Sequence, residues 1–504
     1  MVRKIEKAIL ITLTFLLTLT ACSSSKNENY KPFNGVENGT QREALKNMNQ
    51  YDINIEFYPE EKVIRGEQRV TYINNEDIPI DKLYFHLYPN AFKTKETAPF
   101  LFDNFMSAYP RGFSEGYIDI DKIYVDGSEG EYSIGEFGIT IMEIILPYRL
   151  DIGDRVYIDM QYTIKLPPAV ERFGYGSDTY NLGNWYPIAS VYDEEGWNLD
   201  PYYPIGDPFY TDASNYKVNI RTPKDFTVAS TGNILSRELV DDRIEWEIEA
   251  NAVRDFAWVA SKNFEVVEEE VDGILIKMYF LKDGMENGEI RNRALEFTKK
   301  SLKTFNKVFG EYPYKQYSVV QTNFPSAMEY SGIVFIGSRY YDKAFTDFLE
   351  ILIVHETAHQ WWYGVVGNDQ IDQAWLDESF ASYSEVIYMA ENYGEKAGET
   401  YHRIKNEEDF HRSVDSLQDK VILKTLKDFE NWNDYGLLVY TKGAIFLDDI
   451  SDKYGKEIFY KILQTYYDRY KFKIATTEDF IEICEEVTGE DLDDYFENWL
   501  KNGS

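Results

Sequence analysis

The sequence predicts a multidomain protein in which an all-β, sandwich-like domain at residues 46–266 is followed by an α+β domain at residues 267–504. The 504 residues exceed the usual size of a single domain. Segments that alternate apolar and polar residues recur up to about residue 266, and helical patterns dominate beyond it. Hydrophobic residues make up 44% of the chain and aromatic residues 16%, which is enough for more than one sizeable core.

Short strands are the basis for the first domain. Residues 51–57 alternate with a period of two, which is typical of a strand with one buried face. Asn74 and Asn75 supply turn chemistry after a strand. A long loop rich in aromatic residues follows at residues 184–203. Further strands are predicted at residues 70–73, 82–87, 216–220 and 256–260.

In the second domain, strands alternate with helices. The pattern predicts strands at residues 274–281, 317–322 and 332–335 and helices at about residues 289–308 and 491–500. Another helix is predicted to begin after Thr476, because a threonine caps a helix and Asp479 falls in the first turn. Gly489 is predicted to lie just past its end.

One helix of this domain is predicted to carry His355-Glu356-Thr357-Ala358-His359, and Glu378 follows in a second helix. Histidines four residues apart lie on one face of a helix, so both rings can reach one metal ion. Glu356 lies about 100° round the helix, where it can hold a metal-bound water without ligating the metal. Two histidines and a glutamate leave a fourth position open, as in catalytic zinc sites. The pattern predicts one Zn²⁺ held by His355, His359 and Glu378.

The alternative is an ordinary buried helix without a metal. Residues 351–354 and 361–366 are largely apolar, which predicts burial of the motif. Buried imidazoles and carboxylates need a partner, and a metal ion supplies one. Glu385, seven residues after Glu378, falls on the same helix face and is a candidate to orient a ligand histidine. A solvated glutamate is the alternative for that position.

Two further segments narrow the class of zinc site. Ser-Ala-Met-Glu-Tyr at residues 326–330 precedes the metal motif, and Tyr-Thr-Lys-Gly-Ala at residues 440–444 follows it. Together with Glu378, these segments resemble the motifs of the aminopeptidase N family, gluzincin zinc peptidases with a thermolysin-like catalytic domain. Ser326 stands where that family has glycine, and Tyr330 where it has asparagine. These differences concern the first substrate pocket and leave the expected chemistry unchanged.

The resemblance implies a role for each matching residue. Glu356 is the general base, and Tyr440 stabilises the tetrahedral intermediate. Glu329, with Ala327 and Met328, binds the substrate and its free α-amine. A neutral tyrosine hydroxyl suits an oxyanion, and a buried carboxylate needs a cation such as a terminal ammonium. Outside this context Glu329 would be an ordinary strand-edge residue, and Tyr440 would be a packing residue.

The expected activity is that of a zinc-dependent aminopeptidase, which removes N-terminal residues from peptides by means of a zinc-activated water. Its substrates would be peptides with a free N-terminus. An endopeptidase or an epoxide hydrolase on the same scaffold is an alternative, because a fold does not fix the substrate. A non-catalytic surface module for binding or adhesion is a further alternative. Retention of Glu356, Tyr440 and all three ligands argues against that last possibility.

Charge and the N-terminal segment indicate where the protein acts. The formal charge of −35 argues against nucleic acid as a partner, since such proteins carry basic patches. Residues 1–22 resemble a bacterial lipoprotein signal with a basic start, an apolar stretch and Cys22 as the lipidated residue. An ordinary signal peptide with an incidental cysteine is the alternative. Residues 23–45 are polar and predict a flexible tether. The expectation is a lipid-anchored protein on the extracytoplasmic face of a bacterial cell membrane.

Overall fold

The computed structural model describes residues 46–101, 104–282 and 288–502. The predicted signal peptide at residues 1–22, its Cys22 and the tether at residues 23–45 lie outside the described residues. In the described ranges, none of the helices combines the length and hydrophobicity that spanning a bilayer requires.

The described residues of the N-terminal part form mainly strands, with a 3-10 helix at Tyr88–Lys93 and a short α-helix, α1 (Phe105–Ala108). Its strands are β1 (Gln50–Tyr58), β2 (Val63–Ile73), β3 (Ile80–His86), β4 (Tyr117–Val125), β5 (Ser128–Glu129), β6 (Glu131–Ile134), β7 (Ile141–Leu150), β8 (Arg155–Lys165), β9 (Phe173–Tyr175), β10 (Tyr180–Leu182), β11 (Ile188–Ala189), β12 (Tyr192–Asp193), β13 (Gly196–Trp197), β14 (Ser214–Pro223), β15 (Thr227–Ser230), β16 (Asn233–Val240), β17 (Arg243–Val253) and β18 (Trp258–Ser261).

These strands form one large sheet and smaller sheets that pack on it. The large sheet has eight strands in the order β16-β17-β14-β1-β2-β8-β4-β5, and β1 pairs in parallel with β14. Alternate residues of β1 are buried, as its period of two predicts. Phe57 of β1 meets Trp258 of β18 edge to face at 5.8 Å, so the large sheet packs against the four-stranded sheet β15-β18-β10-β9.

A second sheet and a set of helices make up the C-terminal part. The sheet has the order β19-β20-β21-β23-β22, and β22 pairs antiparallel with β23 at the edge. Its strands are β19 (Phe264–Val271), β20 (Ile274–Leu281), β21 (Gln316–Thr322), β22 (Ala327–Met328) and β23 (Ile333–Gly337). The boundary predicted between residues 266 and 267 falls inside β19.

The five helices predicted from the sequence are present, and the described residues form five more in this part. Together they are α2 (Gly288–Val308), α3 (Thr346–Ala358), α4 (Trp375–Tyr393), α5 (Glu395–His402), α6 (Glu408–Ser413), α7 (Trp432–Tyr435), α8 (Gly443–Tyr454), α9 (Lys456–Tyr470), α10 (Thr477–Thr488) and α11 (Asp493–Leu500). Two π-helical segments, Arg403–Glu407 and Gly436–Lys442, interrupt them. Thr476 caps α10 in a capping box with Asp479, and Gly489 ends it with φ of 75°. The predicted order of a β-rich domain and a helix-rich α+β domain is confirmed.

A buried arginine ties the end of β17 to the segment that follows α3. The guanidinium of Arg254 donates to the carbonyl oxygens of Tyr363 at 2.7 Å and Thr211 at 3.1 Å. Gly367 leaves the space that this guanidinium fills, because a Cβ there would lie 2.0 Å from its central carbon. The β-rich part therefore contacts the segment that places the motif helix.

Candidate active site and metal centre

The predicted metal ligands meet at one point. His355 lies in the last turn of α3, His359 at its C-cap, and Glu378 in the first turn of α4. Oε2 of Glu378 lies 3.2 Å from Nε2 of His355 and 3.3 Å from Nε2 of His359. Their ligand atoms lie within 4.8 Å of one another, and all three side chains are buried. Two imidazole nitrogens and a carboxylate at this spacing fit a zinc ion with an open fourth position.

Each histidine is oriented by a carboxylate on its far side. Nδ1 of His355 donates to Glu385 at 2.8 Å, and the hydroxyl of Tyr401 donates to the other oxygen of that carboxylate. Nδ1 of His359 donates to Asp377 at 2.5 Å, and Gln370 donates to the second oxygen of Asp377 at 2.7 Å. These bonds leave both Nε2 atoms free to face Glu378.

Two more carboxylates border the same space. Glu356 and Glu329 are both buried, and ligand atoms of both lie within 4.8 Å of those of His359. Oε2 of Glu356 and Oε1 of Glu329 have no hydrogen-bond partner among the described residues. Burial raises the pKa of Glu356 to about 7, although the imidazoles of His355 and His359 lower it. Burial, and then Asp207, raise the pKa of Glu329 well above its ordinary value.

Asp207 brings the N-terminal part into the site. Its carboxylate lies within 4.8 Å of those of Glu329 and Glu378. The buried guanidinium of Arg172 donates to Asp207, to the carbonyl of Gly206 at 3.3 Å and, through Nε, to the sulfur of Met328 at 3.1 Å. Sequence reasoning singled out neither Asp207 nor Arg172, because no motif distinguishes them among the chain's many charged residues.

Tyr440 lies beside the metal ligands. Its hydroxyl donates to Oε1 of Glu378 at 2.5 Å, and its ring stacks on that of His355 with the centroids 5.7 Å apart. Burial, and then the charge of Glu378, raise the pKa of Tyr440 well above its ordinary value, so the hydroxyl stays protonated. The residue lies in the π-helical segment Gly436–Lys442, and such segments are frequent at functional sites.

The glycine of the same motif permits close helix packing. A Cβ on Gly443 would lie 1.8 Å from Oγ of Ser379, the residue that follows Glu378. A Cβ on Gly436, at the other end of the π-helical segment, would meet nothing within 4 Å. Gly443 therefore sets the approach of α8 to α4, and with it the distance from Tyr440 to Glu378.

The rest of the predicted substrate segment faces the β-rich part. Met328 is buried with its sulfur against Arg172, and Ala327 is half-buried on the edge strand β22. Tyr330 is fully buried, and its hydroxyl occupies the place where a Cβ on Gly183 would stand, at 1.7 Å. The tyrosine that replaces the expected asparagine is thus matched by a glycine in the N-terminal part.

Comparison with known proteins shows similarity to zinc peptidases. The pattern of the peptidase family M1 domain matches residues 293–499. Aminopeptidase N of Streptomyces lividans is 28% identical over 222 residues, which are 41% of this chain and 25% of that protein. Aminopeptidase 2, mitochondrial, of Saccharomyces cerevisiae is 28% identical over 313 residues, which are 59% of this chain and 31% of that protein. The matched parts thus span about a quarter to a third of these relatives.

Solved structures match over more of the chain. An M1 zinc metallopeptidase from Deinococcus radiodurans superposes with a TM-score of 0.64 at 16% identity, covering 91% of this chain and 94% of that one. A variant of that protein bound to a Tyr-Ser-Ala substrate gives a TM-score of 0.62 at 15% identity, with the same coverage. At these identities the match concerns the fold, which is that of a two-part M1 metallopeptidase.

Proposed function

We propose that this chain, a member of the aminopeptidase N family of gluzincin zinc metallopeptidases, is a zinc-dependent aminopeptidase that removes residues from the amino terminus of peptides. The proposal rests mainly on the surroundings of Glu329. Its carboxylate is buried beside the metal ligands, and Oε1 has no partner among the described residues. An unpartnered buried carboxylate calls for a cation, and a peptide's terminal ammonium is one.

The charges of the site favour a cationic substrate group. Four buried carboxylates converge there: Asp207, Glu329, Glu356 and Glu378. The guanidinium of Arg172 compensates Asp207. A divalent metal ion would compensate two of the remaining three negative charges. The site stays negative, because Asp377 and Glu385 add their charges behind the two histidines, and the ammonium of the substrate would pair with Glu329 and Asp207.

The chain's own residues account for the other steps. A zinc ion held by His355, His359 and Glu378 would polarise the scissile carbonyl and lower the pKa of a bound water to about 7. Glu356, with its free Oε2, accepts the proton of the attacking water and returns it to the leaving amine. Tyr440 turns its hydroxyl from Glu378 to the carbonyl oxygen as charge develops there.

Capture of the ammonium also fixes the position of cleavage. Glu329 follows β22 directly, and its neighbour Met328 is held by Arg172, so the carboxylate has a fixed place relative to the metal ligands. A substrate anchored there presents its first peptide bond to the metal. Such a site removes one residue at a time.

A panel of free and blocked substrates tests this proposal. We expect the protein to hydrolyse leucine 4-nitroanilide and unblocked tripeptides, and to leave their N-acetylated forms intact. Glu329→Gln should lower kcat/KM for free-amine substrates about 10- to 100-fold, because one charge-assisted hydrogen bond is lost. Glu356→Gln should keep the zinc and lose turnover. Equal hydrolysis of acetylated and free peptides would instead indicate an endopeptidase.

We also propose that the protein is anchored through Cys22 on the extracytoplasmic face of a bacterial membrane. Support comes from the sequence: a basic start, an apolar stretch and small residues before Cys22. Cys22→Ala should move the protein from the membrane fraction to the soluble fraction of cells. An unchanged distribution would contradict the anchor and leave the proposed chemistry untouched.

A further inference from the structure

An apolar groove lies on the surface behind the metal site. It is formed by the end of α4, by α5 and by the π-helical segment Arg403–Glu407, and its volume is about 830 Å³. Its apolar lining includes Met389, Ala397, Tyr401 and Ile404. Ile404 is 48% exposed, so its side chain contributes apolar surface to the groove. The groove is open to solvent along one side, and its volume and apolar lining fall in the range of sites for small molecules.

The polar rim of this α5 groove is cationic. Lys396, Lys405 and Arg412 line it, together with one acid, Asp409, which pairs with Arg412 at 3.1 Å. The ammonium groups of Lys396 and Lys405 have no ion-pair partner in the described part of the chain. The chain as a whole carries 87 acidic and 52 basic side chains. A basic, apolar groove on such an acidic protein is complementary to an amphiphilic anion.

The groove is linked to the metal ligands through Tyr401. The ring of Tyr401 lines the groove, while its hydroxyl donates to Glu385. The other oxygen of Glu385 accepts from Nδ1 of His355. The segment Arg403–Glu407 also packs against Gly436–Lys442, the segment that carries Tyr440. A molecule in the groove would therefore rest on the elements that orient one metal ligand and the oxyanion donor.

We propose that the α5 groove binds a long-chain alkyl carboxylate, that is, a free fatty acid, and that its occupancy is coupled to the metal site through Tyr401. The alkyl chain lies over Met389, Tyr401 and Ile404, and the carboxylate pairs with the lysine rim. Burial of methylene groups drives the binding, and the two free ammonium groups select an anion.

Calorimetric titration of the purified protein with sodium dodecanoate, kept below its micellar concentration, tests the binding. We expect saturable binding of one molecule per chain. Butyrate lacks eight of the methylene groups of dodecanoate and should bind at least about 100-fold more weakly, a factor that burial of only about three or four of them already accounts for. Dodecyltrimethylammonium should bind about tenfold more weakly than dodecanoate, because its charge is of the wrong sign.

Variants assign the binding to the groove. The double variant Lys396→Glu, Lys405→Glu should weaken dodecanoate binding about tenfold or more, and Ile404→Asp should do the same by placing a charge on the apolar surface. The matched control Lys122→Glu, Lys217→Glu makes the same charge change on exposed positions of β4 and β14. Circular dichroism confirms that each variant is folded. Three results would overturn the proposal. Dodecanoate would show no saturable binding, or the control variant would weaken its binding as much as the groove variant. In the third, the protein would bind phosphatidylglycerol vesicles but not free dodecanoate.

The coupling between the groove and the metal site is tested by measuring dodecanoate binding, without measuring turnover. This coupling depends on the proposed zinc site, whereas dodecanoate binding to the groove does not. The Kd of dodecanoate should differ about fivefold or more between zinc-loaded and chelator-treated protein, since coupling between two sites is reciprocal. Tyr401→Phe keeps the ring but cannot donate to Glu385, so the two Kd values should converge. Equal Kd values in the unmodified protein would overturn the coupling, and a difference that persists in Tyr401→Phe would overturn the role of this hydroxyl.

Discussion

Tyr440→Phe removes one hydroxyl from the active site and keeps the ring that stacks on His355. That hydroxyl donates to Oε1 of Glu378 at 2.5 Å, while Oε2 of the same carboxylate faces both imidazoles. The change therefore deletes a donor next to the metal ligands without opening a large cavity. It isolates the hydrogen bond that we propose Tyr440 makes to the transition state.

The expected loss of activity in Tyr440→Phe follows from two hydrogen bonds of this hydroxyl. Loss of an oxyanion donor raises the barrier by about 3–4 kcal/mol, and the unmodified protein must first break the bond from Tyr440 to Glu378 to use that donor. Because that break costs part of the gain, we place the net loss near the lower end, at about 100-fold. It should appear equally in kcat and kcat/KM for leucine 4-nitroanilide, since the proposed function assigns ground-state binding of the substrate to Glu329.

Tyr383→Phe provides the matched control. It also deletes the hydroxyl of a buried tyrosine, on α4, where that hydroxyl donates to Asp448 at 2.9 Å. We expect its kcat to stay within about twofold of the unmodified protein, because this bond lies outside the site. A Tyr440→Phe protein with full zinc content and a kcat within about threefold of the unmodified protein would refute the oxyanion role.

Three further predictions concern packing, metal affinity and pH. Gly443→Ala should lower the free energy of unfolding by about 1–3 kcal/mol through overpacking, whereas Gly436→Ala, with open space around it, should not. Denaturant unfolding of both variants measures the two free energies. Equal losses of stability would contradict the prediction. Asp377→Asn weakens the acceptor for His359 and should lower zinc affinity about 10- to 100-fold in chelator competition; unchanged affinity would contradict the orienting role. Burial raises the pKa of Glu171 to about 7, so its protonated form favours the folded state, and that contribution is lost as pH rises from about 4.5 to about 7. The melting temperature of Glu171→Gln, relative to that of the unmodified protein, should therefore rise between pH 5 and pH 8. A difference in melting temperature that is independent of pH would contradict the burial argument.

In the described part of the chain, local patterns located eight of the 23 strands, at least in part, and five of the eleven α-helices. They also singled out the residues that converge on the candidate metal site. His355 and His359 were predictable because a spacing of four places two rings on one helix face, and the structure brings both Nε2 atoms to Glu378. Cap chemistry likewise predicted both ends of α10, since the signals at Thr476 and Gly489 lie within the chain segment they terminate.

Contacts between distant parts of the chain were beyond such reasoning. Asp207 meets Glu329 only because the loop before β14 folds over the edge strand β22, and its partner Arg172 lies in yet another segment. Asp377 could have been considered from the sequence, since it directly precedes Glu378 on the same helix turn. Nothing in the sequence marks the π-helical segment around Tyr440, because an extra residue per turn depends on the packing of neighbouring helices.

The central claim is that two imidazoles and one carboxylate hold a single zinc ion in a hydrolytic site. Metal content of the purified protein, measured by plasma mass spectrometry after dialysis, tests it directly. We predict one zinc per chain in the unmodified protein and in Glu356→Gln, and loss of that zinc in His359→Ala. A folded, unmodified protein that retains no zinc when zinc is supplied, or a His359→Ala protein that keeps it in full, would contradict the account.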